Sequence, residues 1–484
     1  MGAIMSAVQM GAAWCCCNTG ASLCNSVLGQ TGVNATGRKR STILLSFVIL
    51  FALLFQYSLA PAILKENKWW KIYSSIPGMG KYLKSAFLDG CDMYSAENGY
   101  SEDLYLQCVS NAAVYRPTLV STIFFSCTAI AAKMNPSLNK QIWPAKYSAF
   151  FISLLITLFI PNEPLFTSVY LLIMRICAMA FIFIQQIILI DMAYNWNESW
   201  VEQSNICESR EWGSGKKWLN AIIISAVSLY IGSLTGIIFL YKYFIGEEGV
   251  SCGGNITVIT FTLIGILAMT VAQLTGEDGS LLTTAVISAY STYLAYSTVS
   301  KNPNSVCNPT LGNEDIWGIV VGLTLTMISL AWTGWSWTAT ERLTEGGVEV
   351  TRSLTPVNPA RPDAASLNLD VPFIEDEDRP TTGLVMGNPN MNSANEEEQF
   401  NNRHGSSLWK LNVVLVLISC WVAASLTGWG TISGGIGEGG EHTAANPLVG
   451  RFNMVMICLS QTLAVGLYLW TLLAPRYFPD RDFS

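Results

Sequence analysis

In "LLIMRICAMAFIFIQQIILIDMAYNWNESW" (residues 171–200), an apolar run fit for a membrane helix carries Arg175, Gln185, Gln186 and Asp191. An ionisable side chain in a membrane span is costly, and it faces protein or a wet cavity. Such residues serve one of two chemistries: they hydrate and hold polar cargo, or they staple helices through hydrogen bonds. The phase of the helix sorts them. At about 100° per residue, Arg175 and Gln186, eleven apart, share one face, and Ser168 joins them. Asp191 lies nearly opposite Arg175, and Asn195, four residues later, shares the Asp191 face. The rise from Arg175 to Asp191 is about 24 Å, so the two do not pair. Polar faces at opposite ends suit a helix lying between two helical bundles. Arg116, in "AAVYRPTL", is a second buried-charge candidate. Tyr290, Tyr293 and Tyr296 recur three apart in "ISAYSTYLAYSTVSKNP", a stripe that more often packs than conducts.

The elements that must position these residues are membrane spans. The chain has 484 residues, of which 51% are hydrophobic and only 13% charged. Soluble proteins are roughly a quarter charged. Apolar stretches of span length recur at residues 41–63, 112–132, 144–160, 165–195, 217–244, 256–274, 280–300, 316–338, 408–430 and 449–474. Runs such as "STILLSFVILFALLF" do not alternate, which excludes a β-barrel. The predicted organisation is a cysteine-rich N-terminal segment (1–40), spans one to eight (41–338) with an outer loop at 64–111, a loop at 339–407, spans nine and ten (408–474), and a tail (475–484).

Short cytoplasmic loops collect Lys and Arg. Arg38, Lys39 and Arg40 precede the first span; Lys133, Lys140 and Lys146 flank the second loop; Lys216 and Lys217 precede the fifth span. Cytosolic termini put all of these on one side. The outer loop 64–111 carries five lysines against the trend, but long loops obey the rule poorly. On this topology Cys91 and Cys108 share one outer loop, and Cys252 and Cys307 lie in two others. Disulfides form on the oxidising side, so the expected bonds are Cys91–Cys108 and Cys252–Cys307. The sequon at Asn255 falls on the same side and is a glycosylation candidate.

Two segments depart from this pattern. "WCCCNTGASLC" holds Cys15, Cys16, Cys17 and Cys24 without a histidine or CxxC pair, which argues against zinc and for S-palmitoylation. The surrounding helix is expected on, or packed into, the membrane. Residues 339–407 are rich in Pro, Asn and acid and poor in aromatics, the composition of a disordered cytosolic loop. It is either a trafficking surface or a tether. The chain lacks GxxxxGK[ST], HExxH, GxSxG and EF-hand motifs, and its two histidines, His404 and His442, lie outside the spans. No ATP-driven pump, histidine-based intramembrane enzyme, metal or cofactor is expected. No basic excess suggests nucleic acid.

The segments "AAVYRPTL", "LFIPNEP", "MAYNWNESW", "ISAYSTYLAYSTVSKNP" and "YLWTLLAPRYFPDRDF" occur in that order. Together with the N-terminal cysteines, "GRKRST" and the outer-loop cysteines, they resemble the Serinc (serine incorporator)/TMS family over nearly the whole chain. The resemblance implies an all-α polytopic membrane protein of about ten transmembrane helices, in two subdomains bisected by a long diagonal helix. Residues 165–195 match that helix, with Asp191 where the family has an acid before its "NWN"-like motif. The resemblance also implies a lipid-binding groove and, for several members, energy-independent phospholipid scrambling. An older proposal, kept in the family's name, is serine carriage to enzymes of phosphatidylserine and sphingolipid synthesis.

The expected function is passive phospholipid transport, with Arg116, Arg175, Gln185, Gln186, Asp191 and Asn195 as groove or gating candidates. The arginines would attract phosphate; Asp191 would engage ammonium groups or gate. The alternative is a serine carrier or an adaptor for lipid-synthesis enzymes. Expected partners are membrane phospholipids, then serine or such enzymes, and trafficking factors on loop 339–407. The expected location is an endomembrane (vacuole, lysosome or Golgi) or the plasma membrane.

Overall fold

A computed structural model describes residues 36–65, 79–94, 102–134, 143–246, 252–276, 280–311, 316–335, 409–432 and 447–477. The palmitoylation candidates Cys15, Cys16, Cys17 and Cys24 and the loop 339–407 lie outside these. Every regular element among the described residues is helical. In order they are α1 (Thr36–Leu54), α2 (Ala60–Lys65), α3 (Met79–Leu88), α4 (Glu102–Met134), α5 (Trp143–Thr157), α6 (Leu171–Arg210), α7 (Lys216–Tyr243), α8 (Gly253–Leu274), α9 (Leu281–Val299), α10 (Ile316–Trp335), α11 (Trp409–Leu426) and α12 (Pro447–Tyr477). Each of the ten apolar stretches is helical over most of its described residues. Among the described residues, seven helices are long and apolar enough to cross a membrane, by length and composition.

The surface matches a lipid solvent. Ile152, Leu155 and Ile156 on α5, Ile223, Ile224, Ile231 and Ile238 on α7, and Leu459, Leu463 and Leu467 on α12 all face outward. In water such a surface would be a liability; in lipid it has no hydrophobic penalty.

Helix α6, entered through the π-helical turn Leu165–Tyr170, forms a continuous 46-residue rod with it. At 1.5 Å per residue the rod is about 70 Å long, more than twice a hydrocarbon core. It runs fifteen residues past the predicted span end at 195, to Arg210. The turn that stops it is held by Glu208, which accepts from Gly213 N (2.9 Å) and Gly215 N (3.1 Å). One bundle packs α1, α2, α4 and α5 together and adds α10 through α1. Hydrogen bonds from Ser121 to Ser419 (2.7 Å) and from Trp421 to Thr326 (2.8 Å) bring in α11. The other bundle is α7, α8, α9 and α12. Helix α6 packs against members of both, α7, α9 and α12 on one side and α10 on the other.

Helix α9 is the centre of the second bundle. It contacts α6, α7, α8 and α12, and Thr283, Thr284, Ser288 and Ser291 on it are buried. Thr284 bonds Gln273 on α8 and Tyr468 on α12, and Ser288 donates to Thr284 O, so part of this polarity is met by protein. Ser280 caps it, accepting from Thr283 N (3.3 Å).

Both expected disulfides form: Cys91–Cys108, with Cα atoms 5.8 Å apart, and Cys252–Cys307, 5.7 Å apart. The first pins the α3 hairpin to α4. Asn162 pins the same hairpin from the other side, donating to Phe87 O and Asp89 O (both 2.8 Å). The glycosylation expectation at Asn255 is corrected here. Its side chain is fully buried; Nδ2 donates to Phe244 O (2.9 Å) and Cys307 O (2.8 Å), and Oδ1 accepts from Asn302 (2.8 Å). The nitrogen a glycan needs is committed to tying the end of α7 to the loop after α9.

Candidate functional site

The polar side chains of α6 do not converge. Arg175, Gln185, Gln186 and Asp191 each reach a different neighbouring segment, and Asn195 bonds Asp191 on α6 itself. Arg175 donates through Nε (3.1 Å) and Nη2 (3.0 Å) to Trp429 O, just past α11. Gln185 Oε1 accepts from Tyr290 on α9 (3.2 Å). Gln186 donates to Ala464 O on α12 (2.8 Å). Asp191 Oδ2 accepts from Trp332 Nε1 on α10 (2.9 Å), and Asn195 donates to both Asp191 O (2.8 Å) and Oδ1 (3.3 Å). Asp191 and Asn195 meet; Arg175 and Asp191 do not. A peptide or amide group left alone in lipid loses its water partners, so the four bonds that leave α6 fix the register of the rod against its neighbours.

Arg116 is enclosed by protein. It is wholly buried, with its guanidinium donating to three carbonyls: Ala112 (2.6 Å), Ala86 (3.0 Å) and Ile160 (3.1 Å). The Phe87 ring lies 3.7 Å from its Cζ and Phe166 5.1 Å. It faces no groove. Its neighbour Pro117, inside α4, removes one backbone donor, and Arg116 and Thr118 bond carbonyls of the same turn, at Ala112 and Val114.

Two adjoining voids form a different site. A polar cavity of about 270 Å³ lies among α1, α4, α9, α10 and α11, lined by Gln56, Asn111, Ser297, Lys301, Ser425 and Trp429, among others, with Asp103 from the first turn of α4. Beside it an apolar groove of about 580 Å³ runs between α7, α9 and α10, lined by Gly236, Phe239, Tyr243, Tyr296 and Val321. Tyr293, Thr310 and Gly318 line both. The Tyr293 hydroxyl donates to Gly318 O (3.4 Å). A Cβ on Gly322 would collide with that hydroxyl, so the glycine at 322 admits the ring against α10.

None of the six sequence candidates lines either void. Arg175 acts on the polar one at one remove. Gly428, Trp429 and Gly430 all have positive φ (55°, 64° and 71°), and Trp429 is the only non-glycine with positive φ among the described residues. That conformation is strained for a tryptophan. The turn is held by Arg175 on the Trp429 carbonyl, by Asn453 on the same oxygen (3.4 Å), and by the Trp429 ring set edge-on to Trp421. Sequence reasoning missed this turn, although "GWG" carried a signal: two glycines bracketing a large residue at a span end. It also missed Gln56, placed by a π-helical turn, Phe55–Leu59, that no residue pattern announces.

Comparison with known proteins bears on the same architecture. A family profile described as Serine incorporator (Serinc) matches residues 13–481. A probable serine incorporator of Nematostella vectensis is 26% identical over 393 residues, covering 79% of this chain and 80% of its own. Serine incorporator 3 of Bos taurus is 24% identical, covering 77% and 80%. Membrane protein TMS1 of Saccharomyces cerevisiae is 23% identical, covering 72% and 75%. An all-helical membrane chain with this long central rod, matched by the profile almost end to end, belongs to the Serinc (serine incorporator) family.

Proposed function

We propose that the chain passes phospholipids between membrane leaflets without an energy source. The observation that carries this reading is the shared wall between a polar cavity and an apolar groove. Chains resting in the groove leave a headgroup at the cavity, so the polar part need not cross bare hydrocarbon. Membrane phospholipids are then the partners, no chemical bond changes, and no cofactor is needed. We place the termini in the cytosol and the protein in an endomembrane or the plasma membrane. The test is dithionite quenching of fluorescent phospholipid in liposomes carrying the purified chain, without ATP. Quenching beyond the outer leaflet, absent from protein-free vesicles and from a leak control, is expected. No excess quenching from folded protein overturns the reading.

A second reading, serine carriage or service to lipid-synthesis enzymes, draws on the printed names of the relatives and on the small polar cavity. Saturable serine binding would favour it. Deleting residues 345–405 separates both readings from a structural or trafficking role, since transport survives the deletion and recruitment through that loop does not.

A further inference from the structure

Cys177 on α6 and Cys420 on α11 are two free thiols on facing helices. The rod buries Tyr170, Met174, Ala178 and Phe181 on one face. The Tyr170 ring meets Tyr115 on α4, with centroids 6.0 Å apart, and the Phe181 ring meets Trp421 on α11 at 5.9 Å. Cys177 lies between these two contacts along the rod, at nearly the angular position of Tyr170. Cys420 precedes Trp421, and its sulfur lies 3.6 Å from the Thr122 hydroxyl of α4. The two thiols are hydrogen-bonded to each other. Their exposure differs. Cys420 is sealed, whereas Cys177 is partly open, beside Ile173 and Ile176, which face outward.

A reachable sulfur with a second thiol in contact behind it is the arrangement in which oxidation stops at a disulfide and does not run on to a sulfinic acid. We propose that Cys177 and Cys420 are a modification site for organic hydroperoxides dissolved in the surrounding lipid, and that oxidation joins α6 to α11 by a disulfide. The Cys177 sulfur takes the terminal oxygen of the hydroperoxide. The O–O bond breaks, an S–O bond forms, and the thiol proton leaves with the other oxygen as an alcohol. The Cys420 sulfur then displaces the oxygen from Cys177, and the Cys420 proton leaves with it as water. The two thiols lose two electrons, and one hydroperoxide gains them. The oxidant is apolar because the way to Cys177 passes lipid-facing isoleucines, and neither cysteine lines the polar cavity. The new bond joins the same two segments of the molecule that Arg175 and Trp429 already hold together. This inference concerns the thiols alone and does not require that lipid cross.

The test treats the full chain in lipid nanodiscs with cumene hydroperoxide and reads its unreduced peptides by mass spectrometry. The expected product is a pair of peptides joined at Cys177 and Cys420, lighter than the free thiols by two hydrogens and parted again by a reductant. Hydrogen peroxide at the same concentration stays in water and should form the bond more slowly. Cys420→Ala removes the second thiol, so Cys177 should run on to the sulfinic acid, a gain of two oxygens. Cys177→Ala should leave Cys420 reduced. Cys127, exposed on α4, shows that the oxidant has entered the lipid. Oxidised Cys127 with Cys177 and Cys420 both unchanged in the wild-type chain overturns the inference, and needs no variant to show it. So does a sulfinic acid at Cys177 of the wild-type chain with Cys420 still reduced. Oxidised Cys420 in folded Cys177→Ala overturns the order of attack. An equal rate with hydrogen peroxide overturns the lipid-dissolved hydroperoxide as the oxidant.

Discussion

Arg116 and Arg175 are both arginines inside membrane helices, and neither has a carboxylate partner among the described residues. Their surroundings differ. Arg116 is sealed, spends its fork on carbonyls from three separate segments, and lies against two phenylalanine rings. Arg175 is half-buried and places two donors on one carbonyl, in a turn of three left-handed residues. The first closes a region: α3, α4 and the loop before α6 meet on one guanidinium. The second holds one wall of a cavity in a conformation that the backbone alone would not choose. A charge in a span is therefore not by itself a mark of a pathway; what matters is whether its partners line a void.

The largest effect is expected at the sealed site. Arg116→Leu leaves the carbonyls of Ala112, Ala86 and Ile160 without their donor, in a region without water. A loss of about 3–5 kcal/mol is expected, with little folded protein recovered. Unfolding by SDS or urea in detergent measures it. Arg116→Lys should recover little, because an ammonium cannot reproduce the fork. Should Arg116→Leu fold with normal stability and only transport fail, Arg116 belongs to a pathway and the contrast breaks.

Gly430→Ala comes next. The residue has φ 71°, and its new Cβ would lie 2.4 Å from Leu171 Cδ1 and 3.0 Å from the Tyr115 hydroxyl. The leucine tip yields easily; the backbone conformation does not. About 2 kcal/mol of destabilisation is expected. The same unfolding titration reads it, and transport should fall as the turn shifts the cavity wall.

Arg175→Ala sharpens the contrast further. It removes two hydrogen bonds to one carbonyl while Asn453 stays on the same oxygen. About 1–2 kcal/mol is expected. The folded variant should scramble at a changed rate, because Trp429 is no longer fixed. A stability loss equal to that of Arg116→Leu, or an unchanged rate in a folded variant, would show that the two arginines do the same work.

Much of this architecture was legible in sequence because hydropathy reports what a segment faces. Each of the ten apolar stretches is helical over most of its described residues, and the cysteines pair as the topology requires. Helix α9 shows where the signal thins: its threonines and serines dilute the hydropathy because its neighbours are other helices. The extension of α6 to Arg210 was missed because residues after 195 leave the apolar pattern without leaving the helix. The site was the least legible. Helical phase placed Arg175 and Asp191 on different faces of α6, but phase says nothing of which helix stands opposite. The cavity is assembled from residues as far apart as Gln56 and Trp429, and a π turn and a strained tryptophan place them.

The smallest effect is expected at the middle of α6. Asp191 accepts from Trp332 and Asn195, and Asp191→Asn keeps an acceptor for the indole N–H. Less than about 1 kcal/mol should be lost, since a retained neutral hydrogen bond replaces a charge-assisted one. Scrambling should stay within about twofold of wild type, a change of about 0.4 kcal/mol in barrier. Asp191→Leu, which removes both acceptors, should be less stable but no further changed in scrambling, because neither void touches this position. If Asp191→Asn folds and transport nevertheless stops, the middle of the rod carries lipid, and the ammonium-binding role that the sequence placed on Asp191 returns.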